Sequence, residues 1–554
     1  MAVAEHPLGR ALSDLCVCLG RTPTVPSTPA GCAELLQALV TWAAPGPQDE
    51  SEEKVPARAA TALRASLLLL EALKGEASRG APVSAAGAAR AERVVTSENA
   101  EEAGKTEDVT EENVAPQEEG GPGRREDEHV ASILQEMKGG AILSLEKEDG
   151  ALESPGNSGG AEKSDVAPES AAHEHGAPNL QESEMAPNLI DPECVLRCAV
   201  APLLLLCGAH IHDTPWSDAQ IRRLAKQLLR TLLEASSCTS VAELLKGRQE
   251  PPYRTFLEAL RLLGPRLRKD TWESHPDSKL VFSWMLFRVP RPWLSDFLSR
   301  VMPPSLLFSD DYKPENKVLG IRCLHHIINN VPAAELRQYN RALVVFHALR
   351  NHLYSTDVEV IEVVLPCLLD LFPVLHKPPP ALGTYQKDGE NPSDQVLQLV
   401  LTHMEMEHKI ALRRLYARTL PALQERLGVR IVRHMKRLLR VIVGYLEVYD
   451  GPEETARLSI LETLQGTIKY AWPRIPPRLP LLLKALVKLI YELSSESNPN
   501  SAPVTEALLK GATECLLLLD KCSKGQVKMA LHGLPLVSAE PLLLECIDTV
   551  VQNI

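Results

Sequence analysis

The chain has 554 residues and a net charge of −13, and it is 44% hydrophobic but only 4% aromatic. Leu, Val, Ile and Ala must therefore fill its core, a composition that favours helices because unbranched Leu loses little rotamer freedom there. Twelve cysteines invite a disulfide framework, yet most lie within apolar helical patterns, as Cys323 does in GIRCLHHII and Cys367 in LPCLLDL. Reduced cysteine behaves there as a small hydrophobe. Glu5, His6 and Asp14 stand where a signal peptide would need a basic start and an apolar run. A reducing compartment is the expectation, the cytoplasm or also the nucleus.

Three regions follow in chain order. Residues 1–77 form an N-terminal helical segment, with helices expected over Leu8–Leu19, Ala33–Ala44 and Ala57–Leu73. In the third, Leu63, Leu67, Leu70 and Leu73 recur at helical spacing and predict one buried face. Residues 78–187 read as an acidic, low-complexity, disordered linker. Between Glu98 and Glu184 stand 23 Asp or Glu against six Lys or Arg, a balance of −17, which leaves +4 for the rest of the chain. Without Phe, Trp or Tyr, that stretch buries too little apolar surface to offset its ordering entropy. Val130–Leu145 is its one short helical pattern and a candidate docking motif.

Residues 188–554 are a train of helical patterns punctuated by Pro, Gly and Asp. Ala199–Ile211 is too short for a membrane span, which takes about 20 apolar residues, and reads as a buried helix. Stripes at steps of three and four run through Ile321, Leu324, Ile328 and Val331, then Val360, Val364, Cys367, Leu371 and Leu375, then Val432, Met435, Leu439, Ile442 and Leu446. Further helices fit Ala219–Leu233, Phe256–Leu267, Val396–Met404, Ala456–Tyr470, Leu479–Leu493, Val504–Leu519 and Glu540–Val551. No alternating strand run or Asn-Gly hairpin is present. Helices of this length with short connections pair antiparallel, at about 40 residues per pair. The expected fold is all-α, a HEAT/armadillo-like α-solenoid. Pro202, Pro366, Pro373 and Pro421 inside the patterns agree, because such repeats tolerate kinked helices.

Main catalytic signatures are absent: no phosphate-binding loop, Gly-x-Gly-x-x-Gly or His-Glu-x-x-His occurs, and no Cys-x-x-Cys. No enzyme, cofactor or metal is expected. Cys194, Cys198, Cys207, His210 and His212 could suggest zinc, but a Leu-rich helix replaces the turns that zinc ligands need, and core packing is the preferred reading. Adjacent His325 and His326 point apart on a helix. Asp310 and Asp311, in a loop over Pro303–Glu315, could be an acid pair, but lacking a third ligand they read as a turn with capping, or else as a partner contact with Tyr312.

The strongest charge signal is Lys409–Arg440, with ten Lys or Arg against one acid, Glu425. Read as a lopsided helix face, it calls for an anionic neighbour. Internal pairing with Glu447, Asp450, Glu453, Glu454 and Glu462 is the first reading. An acidic partner protein is the second, and nucleic acid the third, disfavoured by the acidic chain and the scarcity of interleaved aromatics. The acidic linker could also cover this patch. Candidate contacts are Asp310, Asp311 and Tyr312, the basic residues Arg430, Arg433, Lys436 and Arg437, and the turn holding Tyr449, Asp450 and Glu453.

Irregular strings carry more than periodicity. VFSWMLFRVPRPWLSDFL (Val281–Leu298) runs into PPSLLFSDDYKPENKVLGIRCLHHIINNVPAAELRQYNRA (Pro303–Ala342), HALRNHLYS (His347–Ser355) and LPCLLDLFPVL (Leu365–Leu375). LTHMEMEHKIALRRLYARTLPAL (Leu401–Leu423) and VGYLEVYDGPEETARLSILETL (Val443–Leu464) follow. Over roughly residues 190–525 the chain resembles the Tel-two-interacting protein two family, the smallest subunit of the Triple-T co-chaperone complex. The resemblance implies a HEAT-type scaffold bound to the large Tti-one subunit, which also holds Tel-two. It further implies work with the heat-shock chaperone machinery and its adaptor complex in maturing phosphatidylinositol 3-kinase-related kinases such as mTOR, ATM and ATR. A scaffold of this kind has no catalytic residues to transfer. Rival readings are a nucleic-acid-binding scaffold using residues 409–440, a metal enzyme on the Cys194–His212 cluster, and a transport receptor on similar repeats.

Overall fold

A computed structural model describes residues 7–22, 26, 28–45, 54–80, 191–247, 252–375, 391–495, 498–532 and 541–552. The acidic stretch and its Val130–Leu145 pattern lie outside these. Every regular element among the described residues is helical, apart from one isolated bridge between Thr214 and Ser217. The chain divides into two compact units, Met1–Arg288 and Val289–Ile554. The sequence boundary near 188 is therefore not a boundary between compact bodies, and the expected single array 188–554 is parted at Arg288.

The first unit holds α1 (Pro7–Cys18), α2 (Pro29–Ala43), α3 (Lys54–Gly80), α4 (Pro192–His210), α5 (Ala219–Ala235), α6 (Val241–Lys246), α7 (Arg254–Leu263) and α8 (Pro276–Leu286). Its hub is α4, against which α2, α3, α5, α7 and α8 all pack. This explains an apolar run that shows no period: Leu203, Leu204, Leu205, Leu206 and Cys207 point in every direction and all are buried. A helix hydrophobic all round belongs in the middle of a bundle. At 19 residues α4 is longer than the sequence suggested, and by length and composition it could cross a membrane, although 61% of that window is buried against its neighbours. The three N-terminal helices belong to this body, and the Leu63, Leu67, Leu70 and Leu73 stripe is their buried face.

Short polar side chains start several of these helices. Asp218 Oδ1 accepts from Ile221 N at 2.8 Å ahead of α5, and Ser240 Oγ accepts from Glu243 N at 3.2 Å ahead of α6. Each supplies an acceptor for an amide that the helix cannot pair itself. Phe256–Leu267 does not continue as one helix, because Gly264-Pro265 tightens its end into a 3-10 turn, Gly264–Leu267.

The second unit holds α9 (Leu298–Ser309), α10 (Pro314–Asn330), α11 (Ala333–Arg337), α12 (Arg341–His352), α13 (Val358–Leu375), α14 (Pro392–Met406), α15 (Ile410–Leu427), α16 (Met435–Leu446), α17 (Thr455–Ala471), α18 (Leu479–Ser494), α19 (Ala502–Cys522), α20 (Gln526–His532) and α21 (Pro541–Gln552). Two layers are built. Helices α10, α13, α15, α17 and α19 pack each on the next, while α14, α16 and α18 lie side by side in the other layer. Each pair, α12/α13, α14/α15, α16/α17 and α18/α19, is an antiparallel hairpin. Pairs begin at residues 341, 392, 435 and 479, so the repeat is 51, 43 and 44 residues. This is the stacked-hairpin arrangement of a HEAT-like helical solenoid.

The sequence stripes are the buried faces: Ile321, Leu324, Ile328, Val360, Val364, Cys367 and Leu371 are all inside. Val429–Leu446 is not one helix. Residues Gly428–His434 form a 3-10 turn and α16 starts at Met435, because Gly428, at φ +52°, ends α15 in the left-handed region. Nor is Pro303–Glu315 a loop. Pro303 and Pro304 lie within α9, leaving residues 310–313 as the turn. Pro366 and Pro373 are tolerated in α13 because both stand on its exposed face, where the carbonyl each frees four residues earlier can meet water.

One close approach fixes the start of this unit. A Cβ on Gly320 of α10 would lie 2.2 Å from Ser309 N and 2.7 Å from Ser309 Cα, backbone atoms of α9 with no freedom to yield. Gly320→Ala should separate the two helices and lower stability by about 1–3 kcal/mol, the usual penalty of overpacking. Gly75, whose Cβ would meet nothing within 4 Å, is the control. Gly75→Ala should raise stability by about 0.5–1 kcal/mol. Denaturant unfolding of both variants checks the opposite signs.

Candidate protein-binding surfaces

In a stack of antiparallel hairpins, the turns within pairs emerge at one edge and the connections between pairs at the other. The within-pair turns, among the described residues, are 310–313, 353–357, 407–409, 447–454, and 495 with 498–501. Contacts join them into a continuous rim. Lys409 Nζ reaches Thr356 O at 3.5 Å, the Tyr354 ring meets His403 edge-on, and Arg414 at the start of α15 binds Asp450 and Glu453 of the next pair. His352 feels the charges of Lys317 and Asp310 in the first hairpin, and burial lowers its pKa to about 4. Large side chains stand out along this rim: Tyr312 is 73% exposed, Tyr354 63%, Met406 72% and Ile410 55%. Two groups of sequence candidates, Asp310/Tyr312 and Tyr449/Glu453, thus share one edge although some 140 residues separate them.

Two candidates prove structural. Asp311 is buried and accepts from Asn316 Nδ2 at 2.5 Å, which braces the first turn of α10. Asp450 is buried as well. Its Oδ2 accepts from Arg414 Nε at 3.2 Å and from Ala456 N at 2.9 Å, holding the turn ahead of α17. Neither offers its carboxylate to a partner. Gly451 sits between Asp450 and the exposed Glu453 at φ +110°, and a Cβ there would meet Arg414 Nη2 at 2.7 Å.

Behind this turn lies a polar cluster that periodicity gave no hint of. Glu454 is fully buried at φ +48°, where it accepts from Arg457 Nη1 at 3.0 Å and from Asn500 Nδ2 at 3.2 Å. Arg457 also reaches Glu492 at 3.4 Å. Glu454 Oε2 and Asp450 Oδ1 each lack a donor. A single proton on Glu454, donated to Asp450, satisfies both. Burial, then the hydrogen bond with Asp450, push the Glu454 carboxyl up to about 7. Its value in an unstructured chain is 4.5. From about 4.5 to about 7 the folded state therefore binds a proton that the unfolded state has lost, so this group's contribution to stability falls as pH rises. Glu454→Gln, a permanent donor, should abolish that slope and melt above the parent at pH 8. Thermal unfolding between pH 5 and 8 decides it, and an unchanged slope would refute the shared proton.

The basic segment is not one helix face. Its residues are divided among α15, the 3-10 turn and α16, and most are engaged inside the unit. Arg414 holds Asp450, Arg418 meets Glu362 at 3.3 Å, Arg426 approaches Asp370 at 4.0 Å, and Arg433 approaches Asp394 at 3.7 Å. Arg437 and Arg440 share Glu405, and the Arg413 guanidinium lies 4.0 Å over the Tyr445 ring. Internal pairing between repeats is thus the prevailing arrangement, though its acids come mainly from preceding helices rather than from the segment that follows. Of the acids expected to serve, Glu447 pairs with Lys488 and Glu454 with Arg457. Among the four candidates here, Arg430, Arg433 and Lys436 are exposed at the between-pair edge, while Arg437 is half-buried over α14.

The cysteine and histidine cluster disperses. Cys207 is fully buried in α4, His210 Nδ1 contacts Ser217 Oγ at 2.9 Å, and His212 lies edge-on to Trp284. No group of three or more His, Cys, Asp or Glu among the described residues could hold a metal ion. His325 and His326 do point apart, the first to Asp370 at 2.8 Å and the second to Val289 O at 3.1 Å.

Fold and surface together define a helical-repeat protein whose second unit presents two long edges. The Tti2 family model matches residues 261–451. Human TELO2-interacting protein 2 is 48% identical over 337 residues, 60% of this chain and 66% of that protein. The rat protein of that name is 46% identical over 355 residues, 64% and 69% respectively. Among solved structures, yeast importin-β (Kap95p) aligns over 100% of this chain and 64% of its own, with a TM-score of 0.41 and 12% identity. The chain belongs to the Tti2 family.

Proposed function

We propose that this chain is a non-catalytic scaffold subunit of the Triple-T co-chaperone complex. In this reading it binds the large Tti-one subunit, and through it Tel-two. The assembly then works with the heat-shock chaperone machinery and its adaptor complex on phosphatidylinositol 3-kinase-related kinases of the mTOR, ATM and ATR type. The cytoplasm, and also the nucleus, is the proposed location. The observation that carries the reading is 45–48% identity to three mammalian proteins named for interacting with TELO2.

The architecture supports it physically. Stacked hairpins give long edges on which another helical protein can bury a large area. The exposed Tyr312, Tyr354, Met406, Ile410 and Tyr449 rim supplies anchors of the type that dominate interfaces. Nucleic-acid binding through 409–440 is the weaker reading, since most of those bases already have partners within the fold.

Association stabilises a folded subunit by mass action. Co-expression with Tti-one and Tel-two should raise soluble yield and melting temperature, and the three should elute together in gel filtration. The same yield and melting temperature with and without these partners would sink the proposal. Within the complex, Tyr354→Asp with Tyr449→Asp should weaken retention at least tenfold while leaving the variant folded, as checked by circular dichroism.

A further inference from the structure

The edge opposite the aromatic rim has its own chemistry. It is made of the connections between pairs, each taken from the last turn of a second-layer helix to the first turn of the next helix. Across the four such connections among the described residues, after α10, α15, α17 and α19, the exposed charges are ten bases and one acid, Glu425. The same measure on the within-pair edge gives six acids and two bases. The charges of this unit are therefore sorted by edge, a separation invisible in a linear sequence where the two kinds of turn alternate. Helix dipoles do not produce it, because each edge collects N-termini from one layer and C-termini from the other.

Several of these bases are uncommitted. Arg430, Lys436, Arg474 and Arg478 are exposed and have no ion pair among the described residues. Beside them stand exposed large apolar side chains: Val429 is 71% exposed and Trp472 60%. Basic side chains interleaved with exposed aromatic and aliphatic groups form a surface for a ligand that is both acidic and apolar.

Spacing narrows the ligand further. Neighbouring helices of a layer pack about 8–10 Å apart, so successive connections present their charges at about that interval. An extended polypeptide advances about 3.3 Å per residue, which brings every third side chain to the same interval. We propose that the between-pair edge of the second unit, from Arg430 through Trp472 to Lys524, docks an extended acidic segment of a partner protein. That segment carries carboxylates at about every third position, with apolar residues between them. The chain's own Glu98–Glu184 stretch has the charge, but many of its acids fall in adjacent pairs, such as Glu101-Glu102, Glu107-Asp108, Glu111-Glu112 and Glu118-Glu119, rather than singly at every third position. The inference concerns this edge alone and stands whether or not the Triple-T reading is right.

The test uses the full chain and three fluorescein-labelled probes: a (Glu-Leu-Ser)5 peptide, a peptide of the same composition with its five glutamates in one block, and a single-stranded 15-nucleotide DNA. Fluorescence anisotropy should show the spaced peptide binding at least fivefold tighter than the blocked one and tighter than the DNA, with affinity falling as salt rises. Reversing Arg430, Lys436, Arg474 and Arg478 to Glu should weaken the spaced peptide at least tenfold, and the same four changed to Gln should weaken it less. Arg322→Glu with Lys510→Glu, exposed bases on helix bodies away from this edge, should leave it unchanged. Full binding by the four-site Glu variant with an unaltered melting curve would overturn the proposal. Tighter binding of the DNA would overturn it in favour of nucleic acid. Peptide binding that emerges only after deletion of Glu98–Glu184 would instead assign the edge to the chain's own acidic stretch.

Discussion

Side-by-side packing of the second-layer helices is the constraint on which the C-terminal unit depends. Each of α10, α13, α15, α17 and α19 buries an apolar stripe against the next, and each covers the first-layer helix of its own pair. A single hairpin could not bury both faces of its second helix. The stack can, and its period of 43 or 44 residues over the later pairs is the length of two helices with their turns. Polar contacts then follow the same period. Arg414–Asp450, His434–Asp394 at 2.7 Å and Gln424–Thr467 at 2.8 Å each join one pair to the next. They are consequences of the stacking and specify its register.

The same constraint decides what is left for binding. Helix faces are spent on neighbours, so the variable chemistry is pushed to the turns. Within-pair turns hold buried carboxylates at their bases and exposed tyrosines at their tips. Between-pair turns hold arginine, lysine, proline and tryptophan. The first unit is organised differently, around one apolar helix surrounded by five others, which is why α4 looks like a membrane span when taken as a string.

Burial separates residues that look alike in a sequence. Asp310 and Asp311 are adjacent, yet one is exposed and the other closes a turn by binding Asn316. Glu453 and Glu454 are also adjacent. Glu453 lies in solvent, whereas Glu454 is sealed in with Arg457 and Asn500 and titrates near neutrality. Burial and the neighbouring Asp450 make that difference, while Asn500, 46 positions downstream, donates to Glu454 and pulls the other way.

The sequence by itself determined the helical class, the pair period, most helix positions and the family, because stripes of three and four and irregular strings are local properties of a chain. Its first reading of the basic segment was internal pairing with acids of the following segment, whereas most of the partners lie on preceding helices. The tertiary structure alone decided where the compact bodies divide, that α1–α3 share a body with α4, and which acids meet which bases. It alone placed Tyr312 and Tyr449 on one edge and Arg430 with Trp472 on the other. The physical reason is that an edge of a hairpin stack is assembled from every second turn. Its members are close in space but a full repeat apart along the chain, so no window short enough to show periodicity contains two of them.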